Sequence, residues 1–432
     1  MNILVLVLDR LHAGYLGAYG NAWVETPALD RLASESFLFD QALSLSPEVA
    51  SFYRAVWEGV HPLVASAGDA PGAKKSAAGG GHRVKPLVDR FAACGLQVRL
   101  LADDPAIAAL PAALGLHQDV ASSEAGDLLP RLRGRLCESA DDTHLAACFT
   151  RLVSTLTTLR EPFGFWCHLS SLGKIWDAPL PYRARYAEEG DPAPCESDEP
   201  VAVVLPPDFD PDELLVTGWS YAANVAVLDE CVGALLEYLD ESELARDTAL
   251  VLTSSRSYPL GEHRRVGDAE PVCYEELVHV PLMIRMPDGT GAAGRSSALV
   301  TPLDLYETLA ELAAMNLEEG GSAEQECGGS STHGESLLPI MRYEKESTER
   351  DRVLLGLPGG DRAIRTAYWY MRLGDLPELY VKPDDRWEAN NVADRLPEQV
   401  AALREVAEKD AAAVESSEPV EPLPEILRYP PE

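Results

Sequence analysis

The stretch ILVLVLDRLHAGYLG, residues 3–17, opens the chain and indicates its fold. Its first six residues, 3–8, are all apolar, and the run ends at Asp9 with Arg10 directly after it. An unbroken apolar run of this length is typical of a strand buried on both faces of a parallel sheet. Ligands of open α/β sheets bind at the carboxyl ends of such strands, so this stretch delivers a carboxylate and a guanidinium to that edge.

Length and composition restrict the class of protein. A chain of 432 residues predicts one large α/β domain with a smaller unit. The formal net charge of −34 would repel a polyanion, so we expect no nucleic-acid partner. The first apolar run is too short for a secretory signal, and no segment is long enough to span a membrane, which predicts a cytoplasmic protein without a membrane partner. The eight cysteines include no CxxC pair, so the sequence predicts mostly free thiols and no zinc site.

Strands and helices alternate along most of the chain. A helix is predicted over 221–240, where apolar residues recur on one face. This alternation predicts a doubly wound, mostly parallel central sheet with helices on both faces. Further buried strands are predicted over 97–101, 163–169 and 249–253.

The last part of the chain has a different pattern. Residues 363–373 alternate like a strand, which predicts a small antiparallel sheet appended to the main domain. We therefore divide the chain into an α/β domain (1–345), a small sheet-and-helix subdomain (346–410) and an acidic, proline-rich tail (411–432) expected to fray. Surface loops are expected at 66–82, 188–212 and 318–333.

Four stretches, in chain order, resemble the sulfatase family of the alkaline-phosphatase-like superfamily. They are NILVLVLDRLHAGYLGAYGN (2–21), LVLTSSRSYPLGEH (250–263), CYEELVHVPLMIRMP (273–287) and ELYVKPDDRWEANNVAD (378–394). The resemblance implies the sulfatase-like fold. It also implies hydrolysis of sulfate esters with a divalent metal, usually calcium, held by oxygen ligands.

The positions that the resemblance assigns to the metal are altered. The family has two acidic residues after its first strand, and here these positions are Asp9 and Arg10. A second pair, Asp with Asn or His, corresponds to Ser255 and Arg256. Because a guanidinium cannot ligate a cation, Asp9 is predicted to be a remnant ligand, and no cofactor is expected.

The position of the nucleophile is altered as well. The family motif is Cys or Ser, any residue, Pro, any residue, Arg; aligned on Arg54, it places Ala50 at the nucleophile, and a methyl group cannot attack. Ser51 is one residue out of register, so it would face another direction on a helix. No catalytic residue is therefore assigned, with Arg54, Ser51 and His263 as weak remnants.

The charges at the altered site suggest compensation. One carboxylate, Asp9, with two guanidiniums, Arg10 and Arg256, carries a formal charge of +1. We expect Asp9 to pair with one of these arginines, and Arg54 and Lys174 to line the same cleft. Arg10, Arg54, Arg256 and Lys174 are thus the candidates for binding an anion, unless the arginines merely neutralise an abandoned metal pocket.

The leading interpretation is a non-hydrolytic, sulfatase-like protein that binds a small anionic or sulfated group or a protein partner. The alternative is an active sulfuric-ester or phosphodiester hydrolase with a rebuilt site, using Ser51 or Thr253 as nucleophile and calcium or another divalent metal. A structural or regulatory subunit is a third possibility.

Overall fold

The computed structural model describes residues 1–64, 84–113, 121–122, 131–317, 334–357, 359–374, 376–416 and 420–430. The predicted loops at 66–82 and 318–333 lie outside these residues. The strands of the described part are β1 Asn2–Leu8, β2 Phe37–Ala42, β3 Gln97–Ala102, β4 Ala121–Ser122, β5 Phe163–Leu169, β6 Val203–Val204, β7 Thr248–Thr253, β8 Arg265–Val266, β9 Leu282–Arg285, β10 Gly294–Val300, β11 Arg352–Gly356, β12 Arg362–Thr366, β13 Trp369–Arg372 and β14 Glu378–Val381.

Helices connect most of these strands. They are α1 Pro27–Ser34, α2 Val49–Glu58, α3 Leu87–Ala93, α4 Pro105–Ala113, α5 His144–Leu156, α6 Leu180–Ala184, α7 Pro211–Glu241, α8 Glu275–Val278, α9 Pro302–Ala314, α10 Leu338–Met341 and α11 Pro397–Ser416. The helix predicted over 221–240 begins ten residues earlier, as α7, at Pro211. The start is fixed by Asp210, whose side chain accepts a hydrogen bond from the Asp212 amide, with proline at the first helical position.

The main sheet has eight strands in the order β10-β2-β9-β7-β1-β5-β3-β4. β1 pairs in parallel with β5 and β7, and β9 is antiparallel to both of its neighbours. The predicted mostly parallel sheet is therefore confirmed. In this register Val7 lies beside both His168 and Thr253, so the carboxyl ends of β5, β1 and β7 come together.

Helices cover both faces of β1, which explains its unbroken apolar sequence. Leu4, Leu6 and Leu8 pack in one core with side chains of α5 and α7. Ile3, Val5 and Val7 point to the other face, where α2, α3 and α9 cover them. Successive side chains of a strand point to opposite faces, so a strand between two helical layers must be apolar throughout.

The C-terminal unit is the predicted antiparallel sheet, in the order β11-β12-β13-β14. Its strands are packed beside α11, and Arg352 on β11 makes a bidentate ion pair with Asp410 on α11 at 2.6 and 2.7 Å. The predicted boundary at 410/411 falls inside α11, which continues to Ser416. Leu423 and Leu427 beyond it are buried, so the prediction of a fraying tail is wrong for the described part.

Two further sequence predictions can be checked within the described residues. None of their helices is long and apolar enough to cross a membrane. The cysteines among them are not joined by disulfides.

Candidate functional site

Two segments bring charged side chains to the carboxyl edge of the main sheet. Asp9 follows β1, and Ser255 and Arg256 follow β7. The Ser255 hydroxyl donates to Asp9 Oδ1 at 2.5 Å, and Arg256 Nε donates to the same oxygen at 3.3 Å. Arg10 Nη1 lies 3.5 Å from Asp9 Oδ2. Asp9 thus contacts both arginines, and the pairing expected from the sequence is present.

A second carboxylate, Asp268, completes this cluster. Arg10 Nε donates to Asp268 Oδ1 at 3.0 Å, and Arg256 Nη2 lies 3.2 Å from Asp268 Oδ2. The four side chains Asp9, Asp268, Arg10 and Arg256, hereafter the Asp9 cluster, therefore carry a formal charge of zero. The charge of +1 inferred from the sequence was wrong, because Asp268 lies in a loop after β8 that no motif marked as part of the site.

The inner half of the Asp9 cluster is closed to solvent. Asp9 and Arg10 are 2% and 4% exposed, and Ser255 is fully buried. Burial raises the pKa of Asp9, but the charges of Arg256 and Arg10 and the Ser255 hydrogen bond together lower it by more. The pKa therefore lies well below its usual value. Asp9 is accordingly ionised at neutral pH. The outer half is more open, with side-chain exposures of 18% for Arg256 and 34% for Asp268.

The backbone also makes room for Arg10. Arg10 adopts a positive φ of 67°, and its carbonyl accepts a hydrogen bond from the Tyr221 hydroxyl at 2.7 Å. Its guanidinium lies against Gly173, where any Cβ would overlap it. The glycine and the arginine are therefore complementary in space, since a side chain at 173 would displace the guanidinium.

The other two predicted anion-binding residues, Arg54 and Lys174, have contacts outside the Asp9 cluster. Arg54 Nη1 donates to the Val64 carbonyl at 2.6 Å. Lys174 is nearly half exposed, with its Nζ 3.9 Å from Asp104 Oδ2. Neither of these contacts joins the Asp9 cluster, so the common cleft predicted for all four cations stays a prediction.

The predicted remnants of the nucleophile lie on α2. Ala50 is exposed in the first turn of that helix. The Ser51 hydroxyl is 3.5 Å from a carboxylate oxygen of Glu48, which precedes the helix. Thr253 is 3% exposed, and its hydroxyl contacts the Ser254 carbonyl at 3.4 Å. The partners found for these two hydroxyls are thus a carboxylate and a backbone carbonyl, and a histidine base is not among them.

His263 belongs to a separate group of side chains. Its Nδ1 lies 2.9 Å from Glu276 Oε1, its Nε2 lies 3.1 Å from the Glu388 carbonyl, and its ring stacks on Tyr274. These contacts hold His263 between the main domain and the segment that follows β14. These contacts of His263 are with Glu276, Glu388 and Tyr274, and none of them is with the Asp9 cluster.

The Asp9 cluster does not fit the divalent metal that the sulfatase resemblance implies. A hard cation such as calcium takes six to eight oxygen ligands. Asp9 offers one carboxylate, and both of its oxygens already face guanidiniums or the Ser255 hydroxyl. A cation here would also be repelled by Arg10 and Arg256. Elsewhere in the described residues, two groups could offer metal ligands: Asp103, His144 and Cys148, and His263, Glu276 and Glu388.

Comparison with curated proteins gives several sulfatases. N-acetylglucosamine-6-O-sulfatase of Bacteroides thetaiotaomicron is 32% identical over 29% of this chain and 20% of its own. Arylsulfatase K of Gallus gallus is 29% identical over 43% of this chain and 35% of its own. Iduronate 2-sulfatase of Homo sapiens is 30% identical over 37% of this chain and 32% of its own. The matched part of the chain thus spans about a third or less of the length of these relatives.

Solved structures share the fold over nearly the whole chain. A phosphonate monoester hydrolase of Agrobacterium radiobacter superposes with a TM-score of 0.71 and 17% identity, covering 96% of this chain and 95% of its own. A putative sulfatase from Bacteroides thetaiotaomicron gives a TM-score of 0.69 and 18% identity, covering 96% and 92%. The sulfatase family model itself matches residues 108–315. The fold, the relatives and this match agree, and together they support membership of the chain in the sulfatase family.

Proposed function

We propose that this chain is a sulfatase-like protein that does not hydrolyse sulfate esters. The observation that carries the proposal is the Asp9 cluster, a neutral and mostly buried set of ion pairs where the resemblance places a divalent metal. Two arginines stand in for the cation, and each contacts both carboxylates. Without a Lewis acid at this place, the charge that develops on the sulfuryl oxygens and on the departing alcohol oxygen would lack its main stabilisation.

The nucleophile position supports the same proposal. Ala50 has no group that could attack sulfur or phosphorus. Ser51 faces Glu48 at 3.5 Å, and a carboxylate is a weak base for a serine hydroxyl. The competing function is a hydrolase that has rebuilt its site around Ser51 or Thr253 and a divalent metal.

Binding of an anion without cleavage is the positive part of the proposal. Its place is the outer half of the Asp9 cluster, where Arg256 and Asp268 are partly exposed. Because Asp268 already pairs with both arginines, a sulfate group must replace the Asp268 carboxylate to bind. We therefore expect weak affinity for inorganic sulfate in the wild-type chain and a higher affinity once the Asp268 charge is removed.

The experiment compares wild-type protein with Asp268→Asn in thermal unfolding, with and without millimolar sodium sulfate. The control is Asp208→Asn, which removes one charge from an exposed loop carboxylate. Sulfate should raise the melting temperature of Asp268→Asn more than that of Asp208→Asn or the wild type. Equal shifts in all three proteins would contradict anion binding at these arginines.

Hydrolysis is tested separately, with aryl sulfates and phosphodiesters in the presence of calcium, magnesium or manganese. The proposal predicts no turnover above the uncatalysed rate. Turnover that Ser51→Ala or Thr253→Ala abolishes would replace it with the rebuilt-hydrolase function.

A further inference from the structure

Three metal-ligating side chains of different types meet at the carboxyl edge of the main sheet, and none of them belongs to the Asp9 cluster. Asp103 follows β3, and His144 and Cys148 lie four residues apart on α5. Residues spaced by four share one face of a helix, so the imidazole and the thiol point in the same direction. Asp103 and Cys148 are fully buried, and His144 is 8% exposed.

The distances between the ligand atoms match the edges of a metal tetrahedron. Tetrahedral zinc bonds of about 2.0 Å to nitrogen and oxygen and about 2.3 Å to sulfur place neighbouring ligand atoms about 3.3–3.6 Å apart. His144 Nε2 lies 3.3 Å from Asp103 Oδ2 and 3.4 Å from Cys148 Sγ. All three atoms lie within 4.8 Å of one another. The three side chains would therefore need to move little to surround one metal ion.

The contacts of His144 converge on a single ring nitrogen. Its Nε2 faces both the Asp103 carboxylate and the Cys148 thiol. A neutral imidazole nitrogen is a metal ligand, as are a carboxylate oxygen and a thiolate sulfur. The three ligand atoms therefore face one another across a distance that one metal ion can bridge.

A second layer of hydrogen bonds orients the carboxylate. Asp103 Oδ1 accepts from the Ser170 amide at 2.7 Å and from its hydroxyl at 2.9 Å. The Ser171 hydroxyl donates to Oδ2 at 2.9 Å. Metal-binding carboxylates are commonly fixed in this way by partners beyond the ligands themselves. The arrangement directs Oδ2 towards His144.

We propose that Asp103 Oδ2, His144 Nε2 and Cys148 Sγ bind a zinc ion, or a similar borderline-soft divalent metal. Sulfur and imidazole ligands favour such metals over calcium or magnesium. On binding, the Cys148 thiol releases its proton to solvent, and the two anionic ligands then balance the dication in the protein interior. The missing CxxC pair predicted no zinc site, but this set joins a residue after β3 to two residues of α5, which a sequence motif does not show. The proposal does not depend on the proposed function at Asp9.

The test uses the full-length chain, stripped with a chelator and titrated with cobalt(II) as a spectroscopic probe for zinc. We expect one cobalt per chain, a near-ultraviolet charge-transfer band from the thiolate, and loss of that band when zinc is added. The band should disappear in Cys148→Ser and persist in Cys273→Ser, a control at another fully buried cysteine that contacts the Asp361 carbonyl instead.

Circular dichroism shows whether the Cys148→Ser chain is folded. If it is not, His144→Asn serves as the second variant and should reduce the bound cobalt well below one per chain. Wild-type protein that takes up no cobalt overturns the proposal whatever the variants do. A thiolate band that survives in folded Cys148→Ser also overturns it.

Discussion

Replacing Asp9 with asparagine removes the buried charge on which the Asp9 cluster depends. Asparagine keeps an oxygen that can accept from Ser255, but it leaves Arg10, 4% exposed, and Arg256 to share Asp268. Removing one partner of a buried ion pair typically destabilises a protein by about 3–5 kcal/mol. Because the Ser255 hydrogen bond can persist, we expect a loss near the lower end, about 3 kcal/mol.

The assay is the free energy of unfolding from urea denaturation at pH 7, without added metal. Asp268→Asn provides the comparison, since its side chain is 34% exposed and a solvent-exposed pair contributes about 1 kcal/mol or less. The double variant Asp9→Asn/Arg256→Gln should lose less than the sum of its single variants, because it removes one charge of each sign. A loss below about 1 kcal/mol in Asp9→Asn, or one equal to that of Asp268→Asn, would refute the role assigned to Asp9.

Three further predictions concern pH and the C-terminal unit. The pKa of Asp9 is lowered in the folded chain, so the stability that its charge contributes is complete above the unfolded pKa of about 3.9 and is lost as the pH falls through the folded pKa. The difference in unfolding free energy between wild type and Asp9→Asn should therefore shrink below about pH 4 in urea titrations. A difference that stays constant would contradict the lowered pKa. Asp410→Asn should cost about 3 kcal/mol, because it breaks the buried pair with Arg352, and unchanged urea unfolding would show that α11 is held by other contacts. Leu427→Ala should cost about 2–4 kcal/mol, because Leu427 is fully buried, whereas a fraying tail would leave the melting temperature unchanged.

Much of the main fold could be predicted from local patterns. The apolar run of β1 predicts burial on both faces, and two helical layers cover it. The start of α7 was misplaced although Asp210 and Pro211 carry a capping signal ahead of it. The acidic, proline-rich composition of the C-terminal segment predicts a loose tail, and it does not reveal single buried residues such as Leu427.

The candidate site was only partly predictable. The sequence places Asp9 beside Arg10, and the position of Arg256 at the end of β7 follows from the parallel order of the strands. Asp268 could not be found in this way, because it is 258 residues from Arg10 and lies in a loop without a motif. The same holds for Asp103, which meets His144 only after β3 and α5 pack together.

Local sequence patterns are enough to predict the central strand, the alternation of strands and helices, and the placement of Asp9 and Arg10 at one edge of the sheet. These features follow from side-chain periodicity, which is a local property of the chain. Three other features depend on the folded chain: the Asp9 cluster is neutral, Gly173 leaves space for Arg10, and two side chains of α5 lie beside Asp103. Ion pairs and metal ligands act over a few ångströms, so they depend on strand register and loop path, which no local pattern specifies.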